Sequence, residues 1–260
     1  MIIVRKILPG LPLIVILLAL SGCNYHAPSP VIGISKASGN YVNWLKTADS
    51  TVRYINLYHL SLDSALAALD SCSGLLLTGG EDVYPGIYSD DIDTSRCGKV
   101  NHRRDTLEII LIIRALELEM PILGVCRGEQ ILGVVFGGEL FIDVPDDYDT
   151  SVIHRCEDYR NCFHMVYVEP NSLLNTICGC DSSLVTTNHH QAIKVLDSDL
   201  KANSFSGDGL IEGIELKNHQ GYSFLLGVQW HPERMDINNP LSGPLVRTFI
   251  NRCRDYSNDW

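Results

Sequence analysis

Short apolar runs alternate along this chain with longer stretches whose apolar residues recur at helical spacing. The runs at 31–35, 74–77 and 121–125 are apolar but for Ser35, the mark of strands buried on both faces. Leucines and alanines at 61–69, and apolar residues spaced three and four apart at 105–118 and about 241–254, predict helices between and after them. This alternation predicts an α/β fold, a mostly parallel central sheet with helices on both faces. Later segments, 165–168, 184–187, 210–216 and 223–230, predict strands of a small β insert and the return to the sheet. No repeat or low-complexity run divides the chain, so one domain over 31–256 is expected.

The first residues break this pattern. Arg5 and Lys6 precede an apolar run over 7–20, interrupted by Pro9, Gly10 and Pro12 and ending in Leu20-Ser21-Gly22-Cys23. The run is shorter than the about 20 residues of a membrane span, and the layout is that of a secretory signal. Its last four residues resemble a bacterial lipobox. The expectation is therefore a signal peptide over 1–22, a lipidated Cys23 and a tether over 23–30. The domain would be exported to the bacterial cell envelope and anchored to a membrane through Cys23.

Composition narrows the partners. With 31 acidic against 20 basic side chains, the formal charge is −11, and loss of Arg5 and Lys6 with the leader makes the chain more acidic still. Nucleic acid is not expected, because phosphate binding needs clustered Lys and Arg. The one basic cluster, His102-Arg103-Arg104, precedes Asp105 and Glu108, whose spacing suggests a capping box at a helix entrance. Nine cysteines are many for a cytosolic enzyme, but in an oxidising compartment some can pair. Setting aside Cys23 and Cys126 leaves an odd number. Cys156 and Cys162 are candidates to close a loop, and Cys178-Gly179-Cys180 reads as a structural loop, since no second pair with zinc spacing follows it.

The candidate chemistry starts at the third buried run. Pro121 to Val125 leads into Cys126, with Gly124 and Gly128 two residues to either side. A nucleophile on a sharp strand-to-helix turn crowds its neighbours at those positions, which gives both glycines a steric cause. A merely buried cysteine needs neither. Another apolar strand ends in His231-Pro232-Glu233, supplying a base and a carboxylate to orient it, and pairing with imidazole favours the reactive thiolate. Gly80, Cys126 and His231 all fall just past predicted strand ends, where open α/β sheets bind ligands. The N–H groups of Gly80 and Arg127 are the candidate oxyanion hole, and Gln130, one turn beyond the nucleophile, a candidate to hold substrate.

Gly124-Val125-Cys126-Arg127-Gly128-Glu129-Gln130 and Gln229-Trp230-His231-Pro232-Glu233 resemble the class I glutamine amidotransferase-like superfamily, whose fold is a flavodoxin-like three-layer sandwich. Within it, the segment from Leu77 through Gly79 and Gly80 to Tyr88, the pair Arg104-Asp105, Asn188-His189-His190-Gln191 and the segment 208–215 are similar to the gamma-glutamyl-gamma-aminobutyrate hydrolase, or peptidase C26, branch. The resemblance covers about 31–253. It implies hydrolysis of a gamma-glutamyl amide by a Cys126-His231-Glu233 triad, with no cofactor and no metal. It also implies substrate-pocket roles for Gly79, Gln130 and His190. Adjacent strand side chains point to opposite faces, so of His189 and His190 one at most is expected to reach the pocket. Asp82 and Tyr84 follow the glycine loop and are candidates for its entrance. Two positions depart from the pattern: Thr78 stands where proline is usual, and Glu129, where methionine is frequent, puts a carboxylate near the pocket entrance or on the helix surface. Two other readings stand beside the hydrolase: a non-catalytic lipoprotein that binds glutamyl ligands, and a glutaminase subunit, which the signal peptide disfavours.

Overall fold

The structure is a computed structural model that describes residues 29–90, 92, 94–148, 151–218 and 224–258. The apolar runs become strands β1 (Val31–Ile34), β3 (Gly74–Leu77), β4 (Ile122–Val125) and β11 (Leu225–Val228), the last three buried at every position. They lie side by side with β2 (Arg53–Asn56) in the order β2-β1-β3-β4-β11, all parallel. Leu77 is level with Gly124 in the ladder, and Gly124 with Gly227. The chain therefore leaves β3, β4 and β11 at one level on one edge, and whatever follows these strands meets in space.

Side chains alternate across this sheet, so each strand feeds two cores. Leu76, Leu123, Val125 and Leu226 pack on one face under α1 (Gly39–Ala48), α6 (Leu173–Cys178) and α7 (Gly243–Asn258). Leu75, Leu77, Ile122 and Leu225 pack on the other under α2 (Leu62–Leu69), α3 (His102–Glu117) and α4 (Arg127–Val135). This is the mostly parallel sheet between helical layers that the alternation predicts. Fully buried side chains such as Phe249, Leu76 and Leu123 each contribute about 1.5–3 kcal/mol of transfer free energy.

The expected β insert is continuous with the main sheet. Beyond β11 the order runs through β10 (Ile211–Leu216), β9 (Leu200–Ser206), β6 (Phe163–Val168) and β7 (Ser182–Thr186), every pairing antiparallel. A separate two-stranded sheet pairs β5 (Glu139–Phe141) with β8 (Ala192–Val195), and α5 (Val144–Asp147) follows β5. The disulfide Cys156–Cys162 closes the loop ahead of β6, with Cα atoms 5.6 Å apart.

The entrance to α3 differs from the expectation. Its cap is Asn101, whose side chain accepts from the N–H of Arg104, so the helix starts three residues earlier than its apolar face suggests. Asp105 and Glu108 are buried ion-pair partners and form no capping box. Among the described residues no helix is long and apolar enough to cross a membrane. The expected signal peptide, Cys23 and most of the tether lie outside the described residues.

Candidate active site

Cys126 sits at the turn between β4 and α4 with φ 54° and ψ −110°, a left-handed conformation that side chains other than glycine rarely adopt. The turn folds so tightly that a Cβ at Gly124 would lie 2.6 Å from the carbonyl oxygen of Gly128, and one at Gly128 would lie 2.4 Å from that of Leu77. Both contacts are impossible, which is the steric cause inferred from the spacing. The Cys126 N–H donates to Val228 O at 2.7 Å, tying the elbow to β11. Arg127 opens α4, where a main-chain N–H has no acceptor within the helix. That free N–H and the helix dipole favour negative charge beside the sulfur.

After β11 the His231 N–H donates to Thr186 O at 2.8 Å, and a short turn, Pro232–Arg234, brings Glu233 back under the ring. The imidazole Nδ1 lies 2.9 Å from Glu233 Oε1, and both residues are buried. Burial alone would lower the His231 pKa, but the Glu233 carboxylate and the Cys126 side chain outweigh it and raise the value to about 10. The ring is thus held as a cation at neutral pH with Nδ1 occupied, which leaves Nε2 for proton transfer.

The loop after β3 completes the group. A Cβ at Gly79 would lie 3.1 Å from His231 Cε1 and 3.4 Å from Cys126 Cβ, so the loop backbone rests against both residues. The Gly79 N–H donates to the Tyr41 hydroxyl at 2.8 Å and is not free for substrate. Burial, then Glu233 and Cys126, push the Tyr41 pKa well up, so the phenol is neutral. Gly80 (φ 147°) has no room for a Cβ because Arg104 Nη1 would be 2.2 Å away. The wholly buried Arg104 guanidinium binds Thr78 O at 2.7 Å, Gly79 O at 3.0 Å, Glu81 Oε2 at 2.7 Å and Glu108 Oε1 at 2.9 Å. Arg127 closes the network from the elbow through Glu108 and through Asp105 at 2.5 Å. One buried ion-pair network therefore fixes the glycine loop and the residue after the nucleophile together.

A pocket of about 100 Å³ opens beside Gly80 and Cys126, with His231 outside its lining. Gly80 and Asp82 line one side, Cys126 and Gln130 the floor, and Arg155, Asn188, His189, His190 and Gln191 the rest of the wall. A larger hollow of about 520 Å³ between 86–90 and 137–139 contains no base or thiol, so size does not mark the site. Gln130 Nε2 donates to Gln191 O at 2.8 Å and to Gln229 Oε1 at 3.0 Å, which joins the floor to the far wall. His190 is held between Asp82 and Asp143, each at 2.8 Å, and the Asp82 hydrogen bond leads in raising its pKa. His189 lines the pocket as well, against the expectation that one of the pair at most would reach it, because both lie in the loop after β7 and not on a strand; its Nε2 is 3.4 Å from Glu212 Oε1. Tyr84 packs edge-on against His102 at 4.6 Å and does not line this pocket. Tyr41 and Arg155 carry no local signature in the sequence, and Arg104, although part of the Arg104-Asp105 motif, shows its role as a loop clamp only in the structure. Glu129 corrects the expectation of an entrance or surface carboxylate: it is fully buried, and burial, then Glu212 and Cys126, raise its pKa well up toward the neutral acid.

The Peptidase C26 family matches residues 12–233. The chain belongs to that family. Within the wider glutamine amidotransferase-like group, it is 40% identical over 182 residues to a putative glutamine amidotransferase of Schizosaccharomyces pombe, covering 70% of each chain. It is 31% identical over 249 residues to the gamma-glutamyl-gamma-aminobutyrate hydrolase PuuD of Escherichia coli K12, covering 88% of this chain and 95% of that one. Among solved structures, a glutamine amidotransferase from Thermotoga maritima superposes with a TM-score of 0.55 at 15% identity, over 89% of this Peptidase C26 chain and 97% of the other. At that identity the likeness concerns the fold alone.

Proposed function

We propose that this protein hydrolyses a gamma-glutamyl amide through a thioester on Cys126. The observation that carries the reading is the strained elbow thiol beside a buried His231–Glu233 pair. In the first step the Cys126 sulfur attacks the gamma-carbonyl carbon, and the oxyanion is met by the N–H groups of Arg127 and Gly80. As the C–N bond breaks, His231 gives its proton to the departing amine. A water then attacks the thioester carbon while the neutral His231 takes its proton, and the C–S bond breaks to release glutamate and regenerate the imidazolium–thiolate pair. Glu233 holds the ring in the useful orientation throughout. Gln130 and His190 are assigned to the glutamyl-binding wall, and Gly79 acts by holding the loop. We further propose that the enzyme is exported and anchored by a lipid on Cys23, a reading that rests on the basic and apolar layout of the leader. A glutaminase subunit would need a cytosolic synthase to receive ammonia, which export denies it.

The test is glutamate release from a panel of gamma-glutamyl amides, with glutamine included, by wild type and Cys126→Ala. Release by wild type and a drop of about 10⁴-fold or more in the variant are expected, the scale of losing a triad nucleophile. Wild-type turnover by Cys126→Ala would remove the nucleophile assignment, and a folded wild type inert on every amide would favour a binding lipoprotein. Cys23→Ser should move the protein from the membrane to the soluble fraction, and no shift would refute the anchor.

A further inference from the structure

In the pocket wall, four buried side chains turn inward on one another: His154 from the segment after α5, His164 from β6, His189 from the loop after β7, and Glu212 from β10. One donor atom from each lies within 4.8 Å of all the others. Glu212 Oε1 is 3.2 Å from His154 Nδ1, 3.3 Å from His164 Nε2 and 3.4 Å from His189 Nε2. Ligands bonded at about 2.0–2.1 Å to a tetrahedral zinc ion stand about 3.3–3.4 Å apart. The three edges from Glu212 match that spacing, and the three between the histidines lie within 4.8 Å, so the rings close in slightly on a bound ion.

The outer nitrogens of the same rings set how the inner ones are presented. His164 Nδ1 lies 3.1 Å from Met165 O and His189 Nδ1 lies 3.0 Å from Gln191 O. A main-chain carbonyl only accepts, so both outer nitrogens carry the proton, and in the neutral rings both inner nitrogens present lone pairs to a carboxylate oxygen. His154 is turned by Asp208, whose Oδ2 is 2.9 Å from Nε2 and whose Oδ1 accepts from the Ser206 hydroxyl and the Leu210 N–H. None of the three inner nitrogens, and neither oxygen of Glu212, makes a hydrogen bond. A divalent ion at the centre of three neutral rings balances the carboxylates of Glu212 and Asp208 and takes one inward atom from each of the four residues. The outer partners are the carboxylate and carbonyl acceptors that orient metal-bound imidazoles.

We infer that His154, His164, His189 and Glu212 form a structural site for a divalent transition-metal ion, with Zn²⁺ the best match to three imidazoles and one carboxylate. Four protein ligands close the tetrahedron and leave no position for substrate. A cavity of about 190 Å³ lined by Val144, Val152 and His154 gives the ion access. Arg155 follows one ligand, and Asn188 and His190 flank another, so the ion pins three residues of the pocket wall, a consequence that rests on the hydrolase reading above. The expectation that the protein needs no metal therefore applies to the catalytic step alone.

Elemental analysis of the full chain, purified without chelator, incubated with excess Zn²⁺ and desalted, tests the site without any substrate, so its result is separate from that of the hydrolase assay. About one zinc per chain is expected. His164→Ala and Glu212→Gln should lose it, while Cys178→Ser/Cys180→Ser should keep it. Co²⁺ in the wild type should show the visible absorption of tetrahedral nitrogen and oxygen ligation without thiolate charge-transfer bands, a readout that needs no variant to fold. A folded wild type holding less than about 0.1 metal per chain, or a cobalt spectrum showing thiolate ligation, would overturn the assignment, as would full metal content in folded His164→Ala.

Discussion

Replacing Arg104 by methionine keeps most of the side-chain volume and deletes one buried guanidinium. Glu108 and Glu81 each lose a cation, and the carbonyls of Thr78 and Gly79 lose their donor. Removing one partner of a buried pair costs about 3–5 kcal/mol. Here each carboxylate keeps a second cation, Arg127 for Glu108 and Lys36, at 2.5 Å, for Glu81. The lower end, about 3 kcal/mol, is therefore expected for the ion pairs, with about 1 kcal/mol more for the carbonyls. Urea unfolding of wild type and variant measures the sum. Activity should fall as well, by up to about 10²-fold in kcat, because the Gly80 N–H is aimed by the loop that Arg104 clamps. Adding Glu108→Gln should cost less than its effect in the wild type, since the amide no longer needs the missing cation. A loss below about 1 kcal/mol with wild-type kcat would refute the view that this network sets the loop.

Glu233→Gln removes the carboxylate that raises His231, so the basic limb of kcat/KM should move from about 10 toward the ordinary value of about 6.5. In the wild type the charged ring stabilises the fold fully below about 6.5 and this contribution fades as pH rises through about 10, so the variant should lose stability mainly at neutral and acid pH; an unmoved limb would refute the pairing. Gly128→Ala drives a Cβ to 2.4 Å from Leu77 O, and overpacking of about 1–3 kcal/mol with loss of turnover is expected; a fully active variant would show that the elbow relaxes freely. Tyr41→Phe strips the acceptor from the Gly79 N–H at a cost of about 1–3 kcal/mol, and thermal unfolding within error of wild type would show that another acceptor serves.

The parallel half of the sheet was readable because β3, β4 and β11 are buried on both faces and carry unbroken apolar runs. The elbow was readable for a different reason: its glycines are demanded by backbone contacts within a few residues. β9 was not, since Lys201, Asn203, Ser204 and Ser206 interrupt its apolar positions although the last three are buried. Edge strand β2 carries Arg53 and Asn56 and shows no period at all. Buried charges are the other failure. Arg104, Glu108 and Glu129 look like ordinary helix-surface residues, and only the packing of α3 against α4, or of α4 against β10, reveals what they meet. The histidine cluster is dispersed along the sequence with no metal-site spacing, so only the antiparallel pairing of β6, β9 and β10 brings it together.

The sheet also divides labour along its width. Gly80, Cys126 and His231 follow three neighbouring parallel strands, whereas Arg155, Asn188, His190 and Gln191 hang from the antiparallel extension. The elbow with the His231–Glu233 pair and the far wall of the pocket thus sit on opposite sides of a seam between β11 and β10. Loops on one side of that seam can be rewritten, and the shape of the pocket with them, while the strands that carry the elbow and the histidine turn on the other side stay as they are.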